Sequence, residues 1–264
     1  MDDSALHFAS TARKEAVLTS KNPRFLGPYS NTQDILVVGD GDLSFSRSLA
    51  TALGGSRMVA TTFDKYHILT RKYDGAEENK DACKRAGAIV LHNIDATKLD
   101  LADFDDMSGF HRIIFNFPHV GGIDIKPNQE LLRGFLVAAK GCLHRHSLKK
   151  KLKPEVHIAL RDTPFYNSWQ IDSIATEAGY TAIRKIPFDD SALLRYKNQR
   201  SAGTKMRAAP STDNAYVHIY QLREDRERDE VTLESERGGG KPRKKTKSSS
   251  SGKKKKKKKR NKFE

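Results

Sequence analysis

The chain of 264 residues carries 48 Lys and Arg against 33 Asp and Glu, a formal charge of +15. Fifteen of those bases and no acid fall between Arg237 and Lys262, leaving 33 bases against 33 acids elsewhere. The body is therefore neutral and excluded as a strongly basic binder; the basic character belongs to one end. Two distant cysteines, Cys83 and Cys142, exclude a disulfide framework and a cysteine zinc site, and suit a reducing compartment. No apolar run approaches the ~18–20 residues that span a bilayer, and Met1–Ser20 lacks an apolar signal-peptide core. Neither a membrane nor a metal is expected as a partner.

Residues 1–33 read as a partly flexible lead-in that ends in the loop chemistry of Lys21–Pro28. The first element is Ile35-Leu36-Val37-Val38, an unbroken apolar run of the kind buried on both faces of a parallel sheet. It runs into Gly39-Asp40-Gly41-Asp42 and then a helix over Leu43–Leu53, with Asp42 or Ser44 as its N-cap. Strand, glycine turn and helix open a nucleotide-binding α/β domain, in which Gly39 and Gly41 let the backbone approach a ligand. The turn lacks a third glycine and the P-loop Lys-Ser/Thr, which argues against nucleotide hydrolysis. Two acids suit a pyrophosphate poorly and an uncharged or cationic ligand better. S-adenosylmethionine, with its sulfonium and amino charges and no phosphate, fits, and a methyltransferase is favoured over a dehydrogenase.

Arg57–Phe63 reads as a second strand ending in Asp64, where Rossmann-like folds hold the ribose diol; an ordinary strand-end cap is the alternative. A charged helix over Leu69–Arg85 closes at Gly87, and Ala88–Ile94 is a third strand. Asp95, which follows, can accept from an adenine amino group or cap a helix. Phe110–Phe117 is the fourth strand, running into Pro118-His119-Val120-Gly121-Gly122. Asn116 and His119 thus stand at the sheet edge where open α/β folds bind ligands. Asn128–Leu143 is an amphipathic helix and Lys149–Pro154 a basic loop. Strand Glu155–Leu160, helix Ser168–Ala178 and two strands, Tyr180–Pro187 and Tyr216–Leu222, complete a seven-stranded sheet whose last strand inserts antiparallel. Asp189–Asn214 between them is a long polar loop of the functional or disordered kind. The ordered domain is expected over 34–223. From 224 to 264 the chain reads as a charged, lysine-rich disordered tail, with a possible helical extension to Glu236.

Several pieces, in order, resemble the eukaryotic ribosomal RNA uridine methyltransferases of the BMT5-like type. They are Gly39-Asp40-Gly41-Asp42-Leu43-Ser44-Phe45-Ser46, Tyr73 with Asn79, Asp95-Ala96-Thr97 and Arg112–Gly122 with its Asn116-Phe117-Pro118-His119. Asn128–Leu132 and Pro164-Phe165-Tyr166 with Trp169 complete the set. The resemblance implies a Rossmann-like class I S-adenosylmethionine-dependent methyltransferase, a mostly parallel seven-stranded sheet with helices on both faces. It implies methylation of uridine at ring nitrogen 3 in large-subunit ribosomal RNA, with pre-ribosomal particles as partners, a nucleolar location within the nucleus and action as a monomer. Gly39, Asp40, Gly41, Asp42, Phe45, Ser46, Asp64, Asp95 and Asn116 are then the cofactor-binding candidates. Where the family has a Tyr-Pro-x-Tyr and His-Arg-type stretch, this chain has Leu194–Arg200, so Arg195 and Arg200 are placed against RNA.

Uracil N3 is an imide that becomes nucleophilic only when its proton leaves, and the base must be extracted from any stack. Phe117 and Pro118 offer an apolar surface for the ring, and Asn116 a hydrogen bond to a carbonyl. His119 is the candidate proton acceptor, or a brace for its loop. A catalytically inactive RNA-binding assembly factor remains the alternative from another class.

Overall fold

The computed structural model describes residues 22–104, 107–144, 152–199 and 211–223. Expectations for the first 21 residues, Lys149–Lys151, Arg200 and the tail from 224, including its helical extension, lie outside these residues.

Seven strands form one sheet: β3 (Ile35–Val38), β4 (Met58–Thr62), β5 (Ile89–His92), β6 (Arg112–Asn116), β7 (Glu155–Arg161), β8 (Tyr180–Pro187) and β9 (Ala215–Leu222). Their order is β5-β4-β3-β6-β7-β9-β8. All run parallel except β9, which pairs antiparallel with both β7 and β8, as the sequence predicts. The short apolar runs split by a period of two. Leu36, Val38, Ile113 and Phe115 face one layer, and Ile35, Val37 and Ile114 face the other. The first layer is filled by Leu132, Phe135, Leu136 and Ala139 of α4 (Ile125–Cys142) and by Ile171 and Ile174 of α6 (Ile171–Glu177). The second is filled by Leu49 and Leu53 of α1 (Ser44–Leu53), Leu69 of α2 (Tyr66–Lys72), and Ala76 and Cys83 of α3 (Ala76–Arg85). Each of the large side chains so buried contributes about 1.5–3 kcal/mol.

Several boundaries depart from expectation. The helix expected over Leu69–Arg85 is two, broken at Gly75, whose φ of 88° no helix accommodates. The helix expected over Ser168–Ala178 begins only at Ile171, as α6, after Gln170 at φ 53°, and a separate short helix, α5 (Pro164–Asn167), precedes it. Helix α4 starts at Ile125, because Pro127 in its first turn gives up no internal hydrogen bond there. The lead-in also holds a hairpin, β1 (Phe25–Leu26) and β2 (Tyr29–Ser30), turned by Gly27 at φ 54°. Tyr29 is buried against Phe45 and His157, and the Arg24 guanidinium donates to the Leu53 carbonyl at the end of α1. No described helix is long and apolar enough to cross a membrane.

Candidate active site

Strand order reverses between β3 and β6, and a cleft opens at their carboxyl ends. The Gly39–Asp42 turn and Phe45 form its floor, Asn116 and Phe117 one wall, Tyr73 another, and Tyr196–Gln199 a cover. Glycine is required at the first position of the turn. Gly39 has φ 63°, and a Cβ there would lie 2.8 Å from the Phe115 ring. A Cβ at Gly41 would meet only the Tyr73 hydroxyl at 3.4 Å and Gln199 at 3.8 Å, so a longer side chain there would enter the cleft.

Helix α1 begins without the cap expected of it. Leu43 is the N-cap, at φ 64°, and its side chain caps nothing. Two acids do the work from further back. Asp42 Oδ1 accepts the Ser44 N–H at 3.0 Å, and Asp40 Oδ2 accepts the Ser46 N–H at 2.7 Å. The N–H groups that would cradle a phosphate are thereby spent on the chain's own carboxylates. The cleft therefore presents negative charge. Burial, reinforced by the neighbouring Asp42, raises the Asp40 carboxyl to about 7, as expected of an acid without its countercharge.

Asn116 supplies a second unsatisfied group. Its Nδ2 and Oδ1 are both buried and without a hydrogen-bond partner among the described residues, although the residue lines the cleft. Leaving such an amide unpaired costs on the order of 1–3 kcal/mol per group, a deficit that a ligand with its own donor and acceptor would remove. Phe117 next to it is held at φ 50°, its ring edge-on to Phe188 at 5.0 Å.

The structure brings only part of the expected site together. Gly39, Asp40, Gly41, Asp42, Phe45, Asn116 and Phe117 share the cleft, and Ser46 lies under it as the donor to Asp40. Asp64 follows β4 and binds Lys72 Nζ at 2.8 Å. It is outside the cleft lining, yet close enough for its charge to add, with Asp42 and Asp40, to the burial that raises the Tyr73 hydroxyl. Asp95 is a cap. It accepts from the Thr97 N–H at 2.9 Å and from the Thr97 hydroxyl at 2.8 Å, in a turn that packs against Gly134 of α4. Pro118 is buried and offers no face to the cleft. His119 Nδ1 accepts the Gly121 N–H at 2.7 Å, and its ring lies 5.7 Å from Trp169 and 6.2 Å from Phe165. The Gly121 N–H engages the His119 Nδ1 lone pair, an arrangement that braces the loop. Arg195 is exposed at φ 66° and stands outside the lining.

The cover was not legible as such. Gln199 Nε2 donates to Asp42 Oδ2 at 2.9 Å, and Ser44 Oγ both donates to the Lys197 carbonyl and accepts its N–H. Ser48 Oγ donates to the Leu194 carbonyl at 2.6 Å, and Tyr196 packs on Phe45. The length of the 189–214 loop and the resemblance at Leu194–Arg200 signalled a role, against RNA and not over the Asp42 turn. Asn79 is explained by the same turn, since its Nδ2 donates to the Asp42 carbonyl.

At the opposite edge, Asp34, His111 and His144 hold potential metal-ligand atoms within 4.8 Å of one another. Arg57 Nη2 already sits 2.7 Å from Asp34 Oδ2, and His111 Nδ1 takes the Asp34 N–H at 3.1 Å. A guanidinium fills the place a cation would need.

The strand reversal, with the last strand run backwards into the sheet, defines the class: a Rossmann-like fold of the methyltransferase type. Residues 36–200 match the BMT5-like family, rRNA (uridine-N3-)-methyltransferase BTM5-like. The chain belongs to that family. It is 33% identical to heavy metal-associated isoprenylated plant protein 41 of Arabidopsis thaliana, over 67% of this chain and 35% of that one. This chain thus spans about a third of that relative's length. The 25S rRNA (uridine(2634)-N(3))-methyltransferase of Saccharomyces cerevisiae is 23% identical, over 80% of this chain and 79% of its own. Among solved structures, N-methyltransferase NodS from Bradyrhizobium japonicum WM9 is similar at a TM-score of 0.41 and 12% identity, covering 84% of this chain and 98% of that one.

Proposed function

We propose that the protein transfers a methyl group from S-adenosylmethionine to uridine N3 in large-subunit ribosomal RNA. The observation that carries the proposal is the unpaired, buried Asn116 amide beside an acid-lined turn in one cleft. The family description and the yeast relative's substrate support the choice of RNA and of ring nitrogen.

The residues fit the cofactor. Asp40 and Asp42 supply negative charge for its amino and sulfonium groups, Gly39 and Gly41 leave the turn open, and Asp64 is the acid available for its ribose. When bound, S-adenosylmethionine provides an electrophilic methyl group. The chain's own contribution is to the uracil. Asn116 Nδ2 can donate to a ring carbonyl, where charge gathers as the imide ionises. Phe117 gives the ring an apolar wall, and His119, through Gly121, fixes the loop that follows. The imide proton is left to water. The fifteen bases of the tail would add salt-sensitive affinity for RNA and direct the protein to the nucleolus.

Calorimetric titration with S-adenosylmethionine, paired with mapping of N3-methylated uridines in ribosomal RNA from cells lacking the protein, tests this. Wild type should bind and Gly41→Arg should not, with its melting temperature unchanged and one uridine unmethylated in the deficient cells. A folded wild type that binds no cofactor would overturn the proposal in favour of a non-catalytic RNA-binding factor.

A further inference from the structure

The loop that leaves β6 and the first residue of α4 carry three apolar side chains that the fold does not use. Val120 is 49% exposed, Ile123 85% and Ile125 41%. Exposure of this kind on a mobile loop would mean little, but this loop is pinned. Asn128, itself fully buried, receives the Val120 N–H on Oδ1 at 3.1 Å and donates from Nδ2 to the Asp124 carbonyl at 2.7 Å. One buried amide thus ties both limbs of the loop. The His119–Gly121 bond holds its entry, and Gly121 and Gly122, at φ 91° and 78°, make the turn between. The most exposed of these isoleucines is therefore presented outward from a rigid mount, seven residues after the Asn116 amide.

Resting on the methyl-transfer reading above, we infer that Ile123 is a wedge that enters the RNA stack when the target uridine leaves it. A base methylated at its pairing edge must be extracted, and extraction opens a gap between its neighbours. Apolar side chains fill such gaps in nucleic-acid complexes, because a branched hydrocarbon replaces lost stacking contact and keeps water out. The loop suits this: it is apolar at its tip, rigid, and joined directly to the cleft that would receive the base. Asn128 is a positioning residue in this scheme, which gives a physical purpose to a motif residue that the cleft leaves unused.

The test uses the full-length protein and a short RNA hairpin with a U·U mismatch and 2-aminopurine next to one uridine. Wild type and Ile123→Leu should raise 2-aminopurine fluorescence on binding. Ile123→Ala should bind S-adenosylmethionine as wild type does, while its fluorescence rise and its methyl transfer to a structured large-subunit rRNA transcript fall on the order of tenfold. Its transfer to single-stranded uridine oligonucleotides should be unchanged. Equal fluorescence and transfer for Ile123→Ala and wild type would overturn the wedge while leaving the methyltransferase reading intact. A wild type that binds the hairpin and methylates its uridine without any fluorescence response would also overturn it. No transfer to any RNA would remove the methyltransferase reading, and a fluorescence rise lost in Ile123→Ala would still support the wedge.

Discussion

The two edges of the sheet handle backbone strain and charge in opposite ways. Six non-glycine residues among those described have positive φ: Leu43, Asn93, Phe117, Gln170, Arg195 and Asn214. All six lie in connections that leave the carboxyl ends of parallel strands or return to that edge. At the amino edge the same backbone conformation falls to glycine, at Gly54, Gly87, Gly109 and Gly179. A left-handed residue with a side chain costs on the order of 1–2 kcal/mol more than glycine would. Charge follows the same division. At the amino edge Asp34 is met by Arg57 and two histidines, and Glu155 by Arg112, His157 and Arg184. At the carboxyl edge, among the described residues, Asp40 is met by no cation and the Asn116 amide by no partner. One edge is finished by the chain itself, and the other is completed by what it binds.

The largest effect should come from breaking the finished edge. Glu155→Ala removes the carboxylate that faces buried Arg112 and fully buried His157, and should cost about 3–5 kcal/mol, read as a lower denaturation midpoint. Cofactor affinity of the folded fraction should not change. A loss below ~1 kcal/mol would show that the amino edge is not held by this pair.

Asn116→Ala cuts the other way. Activity should fall on the order of a hundredfold, while stability holds or rises by about 1 kcal/mol because an unpaired buried amide is gone. Stability lost together with activity would make Asn116 a structural residue.

The smallest effect is on pH, and its sign differs between the edges. Asp40 is raised in the fold to about 7, so it contributes stability below its ordinary 3.8 and loses that contribution as pH rises through 7. Affinity for a cationic cofactor should rise over the same interval, and Asp40→Asn should flatten the dependence. Asp34 and Glu155 are held below their ordinary values, Asp34 by its hydrogen bonds to His111 and His144, against burial. Their contribution is present above those values and is lost as pH falls. Calorimetric titrations across neutrality, and melting curves carried on into acid below the ordinary carboxylate range, separate the two. Affinity independent of pH in wild type would remove Asp40 from the cofactor site.

The sheet was readable because each strand is a short apolar run with a period-two division, and the turn because glycines and acids stand together after the first of them. The hairpin was not, since two strands of two residues carry no periodicity, and Tyr29 is buried by Phe45 and by His157, the latter 128 residues away. Asp95 was ambiguous for a local reason: a cap and an adenine acceptor have the same residue type at the same strand end. The cover of the cleft was invisible because Gln199 and Lys197 reach Asp42 and Ser44 through folding alone, with no pattern in the segment itself to mark it.

That cover sets a timetable for synthesis. Ser44 and Lys197 meet across a separation of 153 residues. At roughly 5–20 residues per second, the turn emerges from the ribosome about ten to thirty seconds before the segment that closes over it. The first strands and α1 can pair in that interval, but Asp42 has no Gln199 and Ser48 no Leu194 carbonyl. A nascent chain therefore holds a half-built pocket for most of its translation, and it becomes able to retain cofactor only when nearly all of the fold has been made.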